Sequence, residues 1–221
     1  MATDAAGVSC TFDRIIFACP ADVALRCLAE GATWWERRVL AAVKYYRDVT
    51  VTHCDEEYMK AHYELGGGTD YYIHSDAADP TKLEMSFDLG HYQPALQPRP
   101  SGASPVYQSI FLDQAGEASW TRPLIQPSKV LLVKWWHAFS HEASHFRWVV
   151  PFAHLLQGRR RTLYAGSWLL VNTHEIAVIS GLAAAWRLGA KYPFADDALA
   201  AAQFDSFLFL AHGGRSRRRW C

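Results

Sequence analysis

Between Leu163 and Ala190 the chain reads LYAGSWLLVNTHEIAVISGLAAAWRLGA, and this stretch restricts the fold more than any other. Its opening run, Leu163-Tyr164-Ala165, is short, apolar and uninterrupted, as in a buried strand. Gly166 and Ser167 stand at the strand end. Asn172-Thr173 supply a helix N-cap, and an Ala-rich helix is predicted from His174 to Leu188, ending at Gly189. A strand, a glycine and a helix start together form a receptor for negative charge, because the first helical turn leaves backbone N–H groups unpaired.

A second strand–helix unit lies near the other end. Ile15-Ile16-Phe17-Ala18 reads as a buried strand, and Pro20 then opens a helix at a position where proline is tolerated. Between the two units the pattern changes to short strands parted by turns. Arg47–Cys54 alternates and is rich in β-branched residues. Asp70–His74, Lys82–Leu89, Val106–Leu112 and Lys129–His137 complete a predicted five-stranded, mostly antiparallel sheet, with a loop over the proline-rich stretch from Pro94 to Pro105. A helix from Ser144 to Gln157, kinked at Pro151, leads back to the strand at Leu163. The expected class is therefore α/β with α+β character: a Rossmann-type layer interrupted by an inserted antiparallel sheet. The expected domains are 1–30 with 158–193, an insert over 31–157, and a C-terminal helix and tail over 194–221.

The two strand–helix units also carry a family resemblance. Phe12–Leu28, FDRIIFACPADVALRCL, is similar to the segment D-x-V-I-x-A-x-P-A with which FAD-dependent oxidoreductases of the flavin amine oxidase and phytoene desaturase type return to their FAD domain. This chain has Cys19 where that family usually has threonine. Ser180-Gly181-Leu182-Ala183-Ala184-Ala185 resembles the small-residue face of the family's last FAD-domain helix, and Ser180, Gly181, Ala184 and Ala185 are expected to allow close helix–sheet packing rather than to do chemistry. The resemblance implies FAD as cofactor, hydride transfer from a small-molecule or lipid substrate to the flavin, and an inserted sheet forming the substrate side of the cavity. It implies flavin contacts at Gly166, Ser167, Trp168, His174, Glu175 and Ile176, with Glu175 or His174 beside the flavin pyrimidine. No catalytic base is implied by any residue.

One part of that family's pattern has no counterpart. The G-x-G-x-x-G turn that binds the ADP pyrophosphate is not found, since Gly66-Gly67-Gly68 is followed by Tyr71 at the third glycine's place. The resemblance therefore covers the C-terminal half of such an enzyme, and a dinucleotide-binding half is expected outside it. A catalytically silent fragment, or a subunit dependent on a partner, is the alternative. Half the residues are apolar, enough for a sizeable core, and a formal net charge of zero argues against nucleic-acid binding. Five cysteines without a C-x-x-C pair describe neither a disulfide framework nor a zinc ribbon. Cys10, Cys19, Cys27 and Cys54 are expected to be reduced and buried, as suits a cytoplasmic protein.

A competing motif stands at His141-Glu142-Ala143-Ser144-His145, which matches H-E-x-x-H. On a helix it would put two imidazoles one turn apart, with Glu142 as general base of a zinc hydrolase. A third ligand is not supplied: Trp148 and Pro151 occupy the metzincin positions, and the next carboxylate is Glu175. The expected reading is a turn between strand and helix with no metal. The aromatics Tyr45, Tyr46, Tyr71, Tyr72, Trp135, Trp136 and Trp148 fit either a sheet core or a cavity wall. Asp197–His212 reads as an amphipathic helix with Phe204, Phe207, Leu208 and Leu210 clustered. The arginines at 215 and 217–219 follow it, a pattern that allows peripheral contact with an anionic membrane.

Overall fold

The structure is a computed structural model that describes residues 2–66, 71–75, 83–96 and 104–214. Among the described residues nine strands run in chain order: β1 Ala2–Thr3, β2 Ser9–Cys10, β3 Ile15–Phe17, β4 Tyr45–His53, β5 Tyr72–Ser75, β6 Leu83–Asp88, β7 Tyr107–Phe111, β8 Val130–Phe139 and β9 Thr162–Tyr164. The α-helices are α1 Ala21–Leu28, α2 Trp34–Leu40, α3 Glu56–His62, α4 Leu89–Tyr92, α5 Ala143–Trp148, α6 His174–Arg187 and α7 Ala198–His212. The fold is mixed helix and sheet, with one antiparallel and one parallel sheet of substance. The chain divides into two compact units, residues 1–44 with 139–221, and residues 45–138. Residues 31–44 and 139–157 thus belong with the outer segments rather than with the inserted sheet. Their helices α2 and α5 explain this: both pack within the first unit, where Trp35 stacks on Phe152 and Arg38 lies over Trp148.

The first unit is organised by the pairing of β3 with β9, parallel and in register from Ile15–Thr162 to Phe17–Tyr164. A parallel pair needs a long crossover and cover on its faces. The crossover contains the whole second unit. The cover is dense around Tyr164, which is fully buried, stacks on Phe17 and meets Trp168 edge-on. Its hydroxyl donates to Glu36 Oε1 at 2.7 Å. Glu36 also closes a capping box at the start of α2, with its Oε2 receiving the Thr33 N–H. The edge of β9 away from β3 is finished by side chain rather than by strand. Gln157 exchanges two 3.0 Å bonds with the Tyr164 main chain, and Gly158 N–H donates to Thr162 C=O.

The predicted 144–157 helix breaks sooner than expected. α5 ends at Trp148, and a 3-10 turn runs from Val150 to Leu155. Pro151 supplies no N–H to continue the α-helix, and it stands in the first turn of the 3-10 segment instead. The C-terminal helix is capped by Asp197, which receives the Leu199 and Ala200 N–H groups. It buries Phe204, Phe207, Leu208 and Ala211 but exposes Leu199, Phe209 and Leu210, so its apolar surface runs round the helix rather than forming the single stripe expected. Among the described residues no helix is long and apolar enough to cross a membrane. The arginines at 215 and 217–219 lie outside the described residues.

The second unit is a five-stranded sheet in the order β5-β6-β7-β4-β8, antiparallel at β5–β6, β6–β7 and β4–β7. One face is core: Val49, Val51, Tyr107 and Phe111 pack on Tyr58 and Met59 of α3 and on Trp120 and Ile125. Strand alternation puts Ile73, Met85, Phe87, Gln108, Ile110 and Thr52 on the other face. These six are not buried, but Thr50, on the same face opposite Ile110, is: Trp136 Nε1 donates to its Oγ1 at 2.9 Å, so the face is covered there. Asp70, Lys82 and the middle of the predicted proline-rich loop fall outside the described residues.

Candidate functional site

The strand–glycine–helix unit is built as the sequence predicts, but its polar groups are spent differently. Gly166 has φ +153° and ψ 155°, a combination open only to glycine. A Cβ there would lie 2.7 Å from Trp168 Nε1 and 2.8 Å from its Cδ1. The buried indole donates to Cys19 C=O at 3.2 Å, tying the bend to the start of α1. The Gly166 N–H does not point free. It donates to Ser180 Oγ at 2.8 Å, and that hydroxyl in turn donates to Ala177 C=O. Ser180 was expected only to permit close packing. It bonds strand end to helix, while Ala184 does the packing against Leu163 and Ala165.

The first turn of α6 is the open part. Thr173 Oγ1 caps the Ile176 N–H at 3.2 Å, so that amide is taken. His174 and Glu175 are exposed at the positive end of the helix. Below them, Ala177, Val178 and Gly181 continue the same exposed face, with Val178 56% exposed. Nothing lies within 4 Å of a Cβ built on Gly181. The expectation that Gly181 serves helix–sheet packing is therefore corrected: Ala183 and Ala184 face the body, and Gly181 faces out. Of the six residues implied by resemblance, Trp168 is buried, Gly166, Ser167 and Ile176 are half-buried, and His174 and Glu175 are exposed. Cys10 and Cys27, expected to be buried, are exposed, and Cys19 and Cys54 are half-buried.

The H-E-x-x-H residues do not make the zincin arrangement. α5 begins at Ala143, so His141 precedes the helix and Glu142 stands at its N-cap position. Glu142 pairs with Lys44 at 2.9 Å and accepts from Ser144. His141 Nε2 receives the Asn172 N–H, and His145 Nε2 donates to Leu170 C=O at 3.1 Å. Burial pushes the His145 imidazole below its ordinary pKa, against the pull of its bond to Leu170. Among the described residues no three His, Cys, Asp or Glu side chains are grouped to hold a metal ion. In the second unit, His137 stacks on Tyr45.

The second unit also holds a buried polar chain that the sequence did not reveal. His53 Nε2 meets Ser109 Oγ at 2.9 Å, and Ser109 meets Ser86 Oγ at 2.6 Å, all three fully buried. His53 Nδ1 accepts the Asp55 N–H, which fixes the neutral tautomer with hydrogen on Nε2. Burial lowers its pKa to about 4, against the opposing charge of Asp55. The resemblance to a Ser–His catalytic pair is one of composition alone, since no solvent reaches it. Two cavities lie elsewhere. One of about 460 Å³ is lined by Val51, Trp120, Ile125 and Val130 in the second unit. The other, of about 510 Å³, lies between α1 and α2.

The chain matches no protein-family model and no curated protein. The functional reading rests on the residues themselves.

Proposed function

We propose that this chain carries the isoalloxazine-facing, C-terminal part of an FAD-dependent oxidoreductase similar to the flavin amine oxidases and phytoene desaturases. The observation that supports it best is the parallel pairing of Ile15–Phe17 with Thr162–Tyr164 around an inserted antiparallel sheet, followed by Gly166 and α6. That is the connectivity the resemblance implies, and it brings together the only two segments that resemble the family. In this proposal the first unit is the C-terminal half of a Rossmann-type layer.

The residues present fit one end of the cofactor. The first turn of α6 offers outward amides at a positive helix end, which suits the electron-rich pyrimidine side of a flavin. The exposed strip Ala177, Val178 and Gly181 lets a flat ring approach the helix closely. Gly181 favours this reading, because a mid-helix glycine costs stability and the fold itself does not need it. The residues do not fit the ADP end. No phosphate-binding glycine turn is found, so the nucleotide is held by a dinucleotide-binding unit beyond these elements.

The sheet edges say where such a unit would attach. β9 is closed on its outer side by Gln157 and Gly158. Among the described residues β3 pairs with β9 alone, and the ladder turns the Ile16 main chain the other way; Ile16 is 39% exposed. A further parallel strand would add at β3. FAD, when bound, accepts hydride from the substrate. The chain's own part is to orient the ring through α6; the inserted sheet, by the resemblance, would supply the substrate side for a small-molecule or lipid substrate.

The test is co-expression with the polypeptide encoded immediately upstream. Stoichiometric FAD in the joined preparation, with weak or no uptake by this chain alone, is the expected result. Absence of FAD from both preparations overturns the proposal.

A further inference from the structure

The segment between β9 and α6 has few bonds of its own: turns from Leu169 N to Gly166 O, Leu170 N to Ser167 O, and Thr173 N to Val171 O, and a long one of 3.4 Å from Ser167 Oγ to Asn172 Oδ1. Its course into α6 passes through Leu170 at φ −145° and ψ −78°. Two imidazoles from another part of the chain hold it. His141 Nε2 accepts from Asn172 N–H, and His145 Nε2–H donates to Leu170 C=O at 3.1 Å. These bonds address one donor and one acceptor, two residues apart, immediately before the Thr173 cap. The base of the clamp is itself fixed: Glu142 binds Lys44, and Ser140 N–H donates to Lys44 C=O. The flanking rings of Phe139 and Phe146 pack on both imidazoles.

The two histidines must carry opposite tautomers. His141 accepts at Nε2, so its hydrogen is on Nδ1. His145 donates from Nε2, so its hydrogen is there, and its buried Nδ1 has no partner. Each nitrogen that faces the loop is used by a main-chain group.

We infer that His141 and His145 are positioning residues that hold the Leu170–Asn172 loop and so aim the first turn of α6, the role that H-E-x-x-H plays here in place of metal binding. The aiming of α6 toward a flavin rests on the function proposed above; the clamp itself does not.

Imidazole nitrogen NMR on the intact chain should give the Nδ1–H tautomer for His141 and the Nε2–H tautomer for His145. His141→Ala, a change at an exposed side chain, should speed amide exchange at Asn172 and in the 170–176 segment roughly tenfold or more. His145→Ala should do the same for 170–176. His141→Gln and His145→Gln should restore slow exchange, because a carboxamide offers both an acceptor oxygen and a donor nitrogen at similar reach. In the preparation joined to the upstream polypeptide, the alanine variants should take up FAD about tenfold more weakly, and the glutamine variants close to normally. Unchanged exchange in His141→Ala, identical tautomers, or zinc bound by the wild type and lost in His145→Ala overturns the clamp. Faster exchange with undiminished FAD uptake overturns the positioning role. Faster exchange in a joined wild-type preparation that takes up no FAD overturns the cofactor reading alone.

Discussion

Replacing Gly166 by alanine tests the bend on which the first unit turns. Two costs add at this residue. Its φ of +153° and ψ of 155° lie where only glycine is comfortable, a strain of about 1–3 kcal/mol for alanine. The new Cβ would also stand 2.7 Å from Trp168 Nε1, where real contacts do not occur. The indole cannot yield cheaply, because it is 3% exposed, bonded to Cys19 C=O and set edge-on against Tyr164. Overpacking of this kind costs about 1–3 kcal/mol. Gly166→Ala should therefore destabilise the first unit by about 4 kcal/mol, a large share of the ~5–15 kcal/mol that holds a domain together. The two units need not unfold together. The appropriate assay is hydrogen exchange against urea, read on peptides from residues 1–44 and 139–214. A loss below about 1 kcal/mol would mean that the bend relaxes freely, and the account of Gly166 and Trp168 would be wrong.

Gly181→Ala should do the opposite in the isolated chain, stabilising α6 by about 0.5–1 kcal/mol, since nothing lies near the added methyl and alanine favours helix; the same variant should weaken FAD uptake in the joined preparation. Tyr164→Phe should cost the first unit about 1.5–3 kcal/mol in the same exchange assay by leaving Glu36 Oε1 without its donor. Burial pushes the Glu36 carboxyl up, but hydrogen bonds from Thr33 and Tyr164 outweigh it and hold its pKa below the ordinary value. That contribution is present above the unfolded carboxyl pKa and is lost as pH falls through the folded one, and Tyr164→Phe should flatten this acid-side loss. In the second unit, His53 has its pKa lowered to about 4, so its neutral form favours folding. Stability should be full above about pH 6.5 and fall by at most about 3 kcal/mol down to about pH 4. His53→Gln should remove that slope in exchange measured on peptides from residues 45–66 and 104–138.

Local pattern reached the elements but not their partners. The strands at 15–17 and 162–164 were legible as apolar runs, and α6 as an Ala-rich stretch between Thr173 and Gly189, because burial and capping act on neighbouring residues. The alternation of Lys82–Leu89 and Val106–Leu112 likewise marks strands with one buried face. The short hairpin of β1 and β2 was missed, since strands of two residues carry no period, and so were α2 and α3, whose seven residues span only two turns. The fate of polar groups was out of reach. Nothing local to Gly166 tells that its amide meets Ser180, fourteen residues on, or that Glu36 reaches Tyr164. The capping box Thr33-x-x-Glu36 was readable as such, and its second use was not. His141 and His145 mislead for a related reason: the motif fixes spacing, while metal binding depends on a helix that starts two residues too late.

The same distinction bears on how the first unit can act. A two-stranded parallel ladder is too small to be a stable sheet by itself. Here it persists because buried side chains take the place of missing strands and helices. Gln157 mimics a neighbouring strand at Tyr164, Ser180 fills the amide that a helix would cover, and Trp168 plugs the bend. These substitutions all lie on the β9 side. They are lacking at β3, where Ile16 is exposed, and on the α6 face formed by His174, Ala177, Val178 and Gly181. A core that is finished on one side and left open along a strand edge and a helix face has its incomplete surfaces where a parallel strand and a flat ligand would be received. Stability alone favours alanine over glycine at 181, so the paired readouts of Gly181→Ala, helix stability against FAD uptake, are the sharpest test of the proposed ring site.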